Sequence, residues 1–193
     1  EANTTASNNT AVGHKALQAN TTGFNQTAVG YNALVANTTS NSNTAVGFES
    51  MQANTTGGAN TAIGANSLEA NTTGNYNTAL GESTLAANTT GSNNVAIGYA
   101  ALDANTTASY NFALGSGALG KTTTGAVNLA LGNSLQENTT GESNIAVGSN
   151  SLDYNTTGSQ NIAIGRDALK ANTTASGNTA VGYQSMDGNT TGA

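Results

Sequence analysis

Apolar and polar positions along this chain recur with one short period. Ala followed by Val, Ile or Leu and then Gly recurs in register at eleven positions from Ala11 to Ala180; nine of the ten intervals are 17 residues and one is 16. The short step falls between Gly132 and Leu135. A second apolar column follows each Gly and runs Leu17, Leu34, Met51, Leu68 and onward to Met186, and a polar column of Asn-Thr-Thr completes the unit. A period of 17 is too short for helix-turn-helix repeats of about 34 residues or propeller blades of about 40. It suits a coil of two short strands and two turns. Asn94–Gly98 reads as one strand closed by Gly, and Ala101–Thr107, alternating apolar and polar, reads as the second. Gly91, Ser92 and Asn93 supply the return turn. β-Branched residues and Gly inside every unit argue against helix. The pattern therefore predicts an all-β fold, a parallel β-solenoid (β-roll) of about eleven 17-residue coils. It is one continuous repeat domain over residues 1–193, each coil rising about 4.8 Å.

Residues two apart on a strand share a face. Val12, Val29, Val46, Ile63, Leu80, Ile97, Leu114, Leu131, Val147, Ile164 and Val181 form one column, expected in the core with Leu17, Leu34, Leu68 and Leu102. Two positions earlier stands Thr in the outer coils, but Val95, Phe112, Leu129, Ile145 and Ile162 in a consecutive central run. The residue between is always Ala, on the opposite face. Because an apolar stripe of that length calls for a partner, Ala96, Ala113, Ala130, Ala146 and Ala163 are expected to form a close-packed association column. In the alternative, Ala fills a narrow coil interior while the bulkier residues face water.

Composition supports a thin, stacked core. Only 7% of the 193 residues are charged and 5% aromatic, with 24 Gly and no Pro, Cys or Trp. Apolar burial scales with area, so such a chain cannot build one thick core. A net charge of −6 with only four Lys and Arg residues excludes a basic patch for nucleic acid. No apolar run approaches the roughly 20 residues of a membrane span. The chain begins inside a repeat unit without a signal peptide, and a fragment of a longer fibre is expected.

Candidate chemistry is sparse. Asn-Thr-Thr is the N-glycosylation acceptor pattern, present at Asn20, Asn37, Asn54, Asn71 and Asn88 among others; the competing role is an Asn ladder bonding coil to coil. Thr columns raise ice binding, but adjacent Thr21 and Thr22 point to opposite faces. His14, the sole His, shares a column with Tyr31 and Phe48, a candidate contact patch for a receptor or glycan. Asp153, Lys170 and Asp187 occupy one outward slot of successive coils, where an alternating charge ladder is expected. No nucleophile–base set, carboxylate pair or calcium-binding Gly-Gly-x-Gly-x-Asp run is present. No enzyme activity, cofactor or metal is expected.

Asn94-Val95-Ala96-Ile97-Gly98 and Asn161-Ile162-Ala163-Ile164-Gly165 resemble the head repeats of trimeric autotransporter adhesins. The longer unit, Asn43 to Gly57, resembles repeats of phage tail fibres and bacterial surface fibres, and the likeness covers essentially the whole chain. The adhesin head unit is shorter than 17 residues. The resemblance implies a left-handed parallel β-roll that trimerises side by side and binds surfaces, placed outside the cell, on the cell surface or on a virion. The expected function is a structural segment of a multimeric fibre for display and attachment, with the chain itself as partner (homotrimer or filament) and a host-surface receptor or glycan as a further one. A self-polymerising surface filament subunit and an ice-binding solenoid are the alternatives.

Overall fold

The computed structural model describes residues 4–192. Its only regular elements among them are eleven three-residue strands: β1 (Thr10–Val12), β2 (Thr27–Val29), β3 (Thr44–Val46), β4 (Thr61–Ile63), β5 (Thr78–Leu80), β6 (Val95–Ile97), β7 (Phe112–Leu114), β8 (Leu129–Leu131), β9 (Ile145–Val147), β10 (Ile162–Ile164) and β11 (Thr179–Val181). They form one parallel sheet in sequence order, with Ala opposite Ala at every pairing. The molecule is an all-β parallel solenoid of about ten turns at 17-residue spacing.

Each strand stops at a Gly of positive φ, and at most of these corners the next coil leaves no room for a side chain. Gly30 has φ +138°, and a Cβ there would lie 2.2 Å from the carbonyl oxygen of Gly47 in the next coil. Beyond the corner the chain does not form the second strand expected over Ala101–Thr107. Ala100 and Leu102 are left-handed, with φ 51° and 53°, and the same pair of conformations recurs at Asn32 and Leu34 and in other coils. A left-handed non-Gly residue costs about 1–2 kcal/mol. Full burial of a Leu side chain returns about 1.5–3 kcal/mol, and the bend is what turns Leu inward. Coil-to-coil bonds still run along this side, as in Leu34 N–H to Ser50 O at 3.1 Å and Thr72 N–H to Thr89 O at 2.9 Å. This wall is thus a hydrogen-bonded ladder of turns.

The core also reverses the expected faces. Ala28, Ala45, Ala62, Ala79, Ala96, Ala113, Ala130, Ala146 and Ala163 are fully buried and pack in one cluster with Leu34, Met51, Leu68, Leu85 and Leu102. The column expected in the core faces outward: Val12, Ile63, Leu114, Ile164 and Val181 are exposed, and Val29, Val46, Leu80, Ile97, Leu131 and Val147 are half-buried. Leu17 is half-buried in the first described coil. The sheet stands so near the leucine row that only a methyl group fits opposite it. A Val or Ile there would overpack the coil. The alanines are therefore interior residues and cannot form the association surface.

Candidate interaction surfaces

Two polar ladders hold the coils in register. In the first, the Asn of most Asn-Thr-Thr units donates its Nδ2 to the Oδ1 of its counterpart one coil back: Asn54 to Asn37 at 3.2 Å, Asn71 to Asn54 at 2.8 Å, Asn88 to Asn71 at 2.8 Å. Most also donate to the carbonyl three residues ahead, as Asn88 does to Gly91 at 3.0 Å. Asn20, Asn37, Asn54, Asn71 and Asn88 are buried, and Nδ2 is the atom a glycan would occupy. The candidate glycosylation sites are closed in the folded chain.

The second ladder was missed from sequence. The Asn immediately before each strand accepts the backbone N–H of the same position one coil on, as Asn77 N–H donates to Asn60 Oδ1 at 2.8 Å. Its Nδ2 spans the coil to a return-turn carbonyl, Asn77 to Gly91 at 2.9 Å. Its signal was an Asn before every strand except at Gln26, which takes the same role through Oε1. Buried amides in such chains satisfy one another.

The Thr pairs divide their labour. The first hydroxyl donates to the backbone of the next coil, Thr72 Oγ1 to Thr89 O at 3.0 Å. The second, as at Thr56, Thr73 and Thr90, is exposed.

The outward sheet face carries two side chains per coil. In β2 to β5 these are Thr with Val, Ile or Leu; in β6 to β10 both are large and apolar. Ten such side chains stand in two adjacent columns over five coils: Val95 and Ile97, Phe112 and Leu114, Leu129 and Leu131, Ile145 and Val147, Ile162 and Ile164. Seven are half-buried, while Phe112, Leu114 and Ile164 remain 38%, 42% and 40% exposed. At about 4.8 Å per coil the patch is roughly 24 Å long.

The rings of His14, Tyr31 and Phe48 do come together. Their centroids are 5.3 Å apart at each step, with interplanar angles of 11° and 9°, and all three are exposed. Both faces of the Tyr31 ring are taken by this stacking, so that ring offers its edge to solvent.

The expected charge ladder is absent. Lys170 Nζ lies 3.3 Å from Asp167 Oδ1 within its own coil, and Arg166 Nε lies 3.2 Å from Asp167 Oδ2. Asp153 instead accepts Gln136 Nε2 at 2.8 Å. The hydrogen bond from Asn150, with Lys170 and Arg166 beside it, holds the Asp167 carboxyl below its ordinary value. Among the described residues no three His, Cys, Asp or Glu side chains cluster as metal ligands, and no helix is long and apolar enough to cross a membrane. No family model, curated protein or solved structure matches this chain.

Proposed function

We propose that this chain is a structural segment of a multimeric extracellular or viral fibre, associating through the outward face of its sheet and serving display and attachment. One observation carries the reading: ten large apolar side chains on β6 to β10 form a continuous uncovered strip. A strip of that kind on a soluble protein marks a contact surface. Its in-register strands suit parallel copies packed side by side, so that each coil meets its equivalent. The resemblance of the strand repeats to adhesin heads and tail fibres favours three copies, with the three apolar strips sharing a common axis. Leu114, Leu131 and Val147 replace the alanines as the residues of that contact.

The remaining surface is low in charge and would present the exposed Thr row and the His14–Tyr31–Phe48 stack to a receptor or glycan. Electron microscopy of the purified full chain tests the reading. Discrete rods of uniform width and of length about 50 Å are expected; open filaments of indefinite length point to the self-polymerising alternative. A single-chain rod refutes association. It would leave the sheet face to water, where Thr27, Thr44, Thr61 and Thr78 alternate with methyl-bearing side chains, and thermal hysteresis would then test ice binding.

A further inference from the structure

One coil departs from the repeat at four positions, and the departures meet on one side of the rod. Gly117 stands where other coils carry Asn32, Glu49 or Asp167, and Gly120 where they carry Gln52 or Glu69. Lys121 replaces an Ala, and Thr122 replaces the ladder Asn. The following coil is the short one. Its Asn133 O accepts Asn150 N–H at 2.7 Å, as His14 O accepts Asn32 N–H, and Ser134 O accepts Leu119 N–H at 3.2 Å. The residue lost is therefore the left-handed one that would lie beneath Gly117.

These changes are costly. Two glycines add backbone entropy to the unfolded chain, and Asn105 Oδ1 and Ser134 Oγ are left buried without a hydrogen-bond partner. Departures from an otherwise uniform local rule concentrate at functional sites.

Two missing side chains and one missing residue together open a cleft of about 310 Å³ between the coils. That volume is at the lower end for small-molecule sites, roughly 300–1,000 Å³. Two oxygens face it. Asp103 Oδ1 lies 3.5 Å from where a Gly120 Cβ would be, and Gln136 Oε1 lies 3.5 Å from that of Gly117. Gln136 has committed its Nε2 to Asp153, so Oε1 is left to accept. Lys121 Nζ is held by Glu137 Oε2 at 2.7 Å, leaving Asp103 without a cation. Burial holds the Asp103 carboxyl above its ordinary value, partly offset by backbone N–H groups of Ala104 and Asp103. With Asp103 and Glu137 negative and Lys121 positive, the cleft carries one net negative charge.

We infer that the cleft between Asp103 and Gln136 binds a small hydroxylated primary ammonium of amino-sugar size. The ammonium would lie on the Asp103 carboxylate, a hydroxyl would donate to Gln136 Oε1, and the Ala100 and Ala104 methyl groups would form the floor.

Saturation-transfer difference NMR on the full chain tests this with glucosamine, N-acetylglucosamine and glucose as probes. It reads weak binding to large assemblies, and an open cleft of this size should bind with Kd on the order of millimolar. Saturable transfer to glucosamine, at least tenfold weaker for the two neutral sugars, is expected. Gly117→Asn with Gly120→Gln restores side chains that other coils carry at these positions; Asn32 and Asn66 share the left-handed φ of Gly117. That double variant should fold as the parent does and lose the signal, and Asp103→Asn should weaken it at least tenfold. No saturable transfer, undiminished transfer in the filled variant, or equal binding of glucose would each overturn the proposal. Neither the filled variant nor Asp103→Asn touches the outward sheet face, so this test and that of association fail independently.

Discussion

Asn88 sits midway along the first ladder, and its removal has a cost that can be worked from its partners. Its Nδ2 serves Asn71 Oδ1 at 2.8 Å and Gly91 O at 3.0 Å, while its Oδ1 receives Asn105 Nδ2 at 2.8 Å. Asn88→Ala orphans Asn71 Oδ1 outright. Gly91 O keeps Asn77 Nδ2 at 2.9 Å, and Asn105 Nδ2 keeps Ala108 O at 3.2 Å. One buried orphan costs about 1–3 kcal/mol and each of the other two lost bonds about 0.5–1.5, so the sum should be about 2–6 kcal/mol. The chain contains the reciprocal experiment. Thr122 offers Oγ1 to Asn138 Nδ2 at 3.3 Å but leaves Asn105 Oδ1 unpaired, and Gly125 O receives only Asn111 Nδ2, at 2.9 Å. Thr122→Asn should supply both missing bonds and stabilise by about 1–2 kcal/mol. Thermal unfolding followed by circular dichroism, at fixed protein concentration because association shifts Tm, reads both. For a chain of this length 1 kcal/mol moves Tm by about 2–4 °C. Asn88→Ala should lower Tm by several degrees and Thr122→Asn should raise it. A neutral Asn88→Ala, or a destabilising Thr122→Asn, would refute the ladder as a source of stability.

Three further outcomes follow from burial and charge. Ala113→Phe places a ring in a filled interior and should destabilise the coil by at least about 1–3 kcal/mol, visible as a lower Tm even at concentrations where the chain is dissociated; unchanged Tm would put Ala113 back on the surface. Asp103→Asn should raise Tm at pH 7, since a folded carboxyl held above its ordinary value disfavours the charged folded state above the unfolded pKa near 3.8; the gain should vanish at pH values low enough to protonate Asp103 in both states. Asp167→Asn should do the opposite, because its carboxyl is held low: the loss should be present above that same unfolded value and fade as pH falls through the folded pKa, and a loss independent of pH would contradict the assignment.

The solenoid and its register were legible because the period is short and nearly unbroken, so eleven copies reinforce every position. Which face of the strand lies inside was not read correctly. A three-residue strand alternates either way, and hydrophobicity alone puts Val before Ala in the core. The better signal was variability. Ala96 and its counterparts never change, while positions such as Thr78, Val95 and Phe112 do, and a filled interior is the place that admits no change in volume. The turn wall misled for a related reason. Leu102 and Ala104 alternate with polar residues as a strand would, yet left-handed residues at Ala100 and Leu102 produce the same order of inside and outside. The cleft was foreshadowed by Gly117, Gly120 and the missing residue after Gly132, but their meeting across two coils is a fact of stacking that linear spacing does not display.

Multi-angle light scattering after size-exclusion chromatography tests most directly the claim that β6 to β10 form a contact face. The chain should elute at an integer multiple of its 19.0 kDa mass, three being the expected multiple. Leu129→Asp with Ile145→Asp, both on the outward face, should reduce it to one chain with an unchanged β-type circular dichroism spectrum. A parent chain that is monomeric at every concentration, or a doubly charged variant that keeps the parent's mass, would contradict the account.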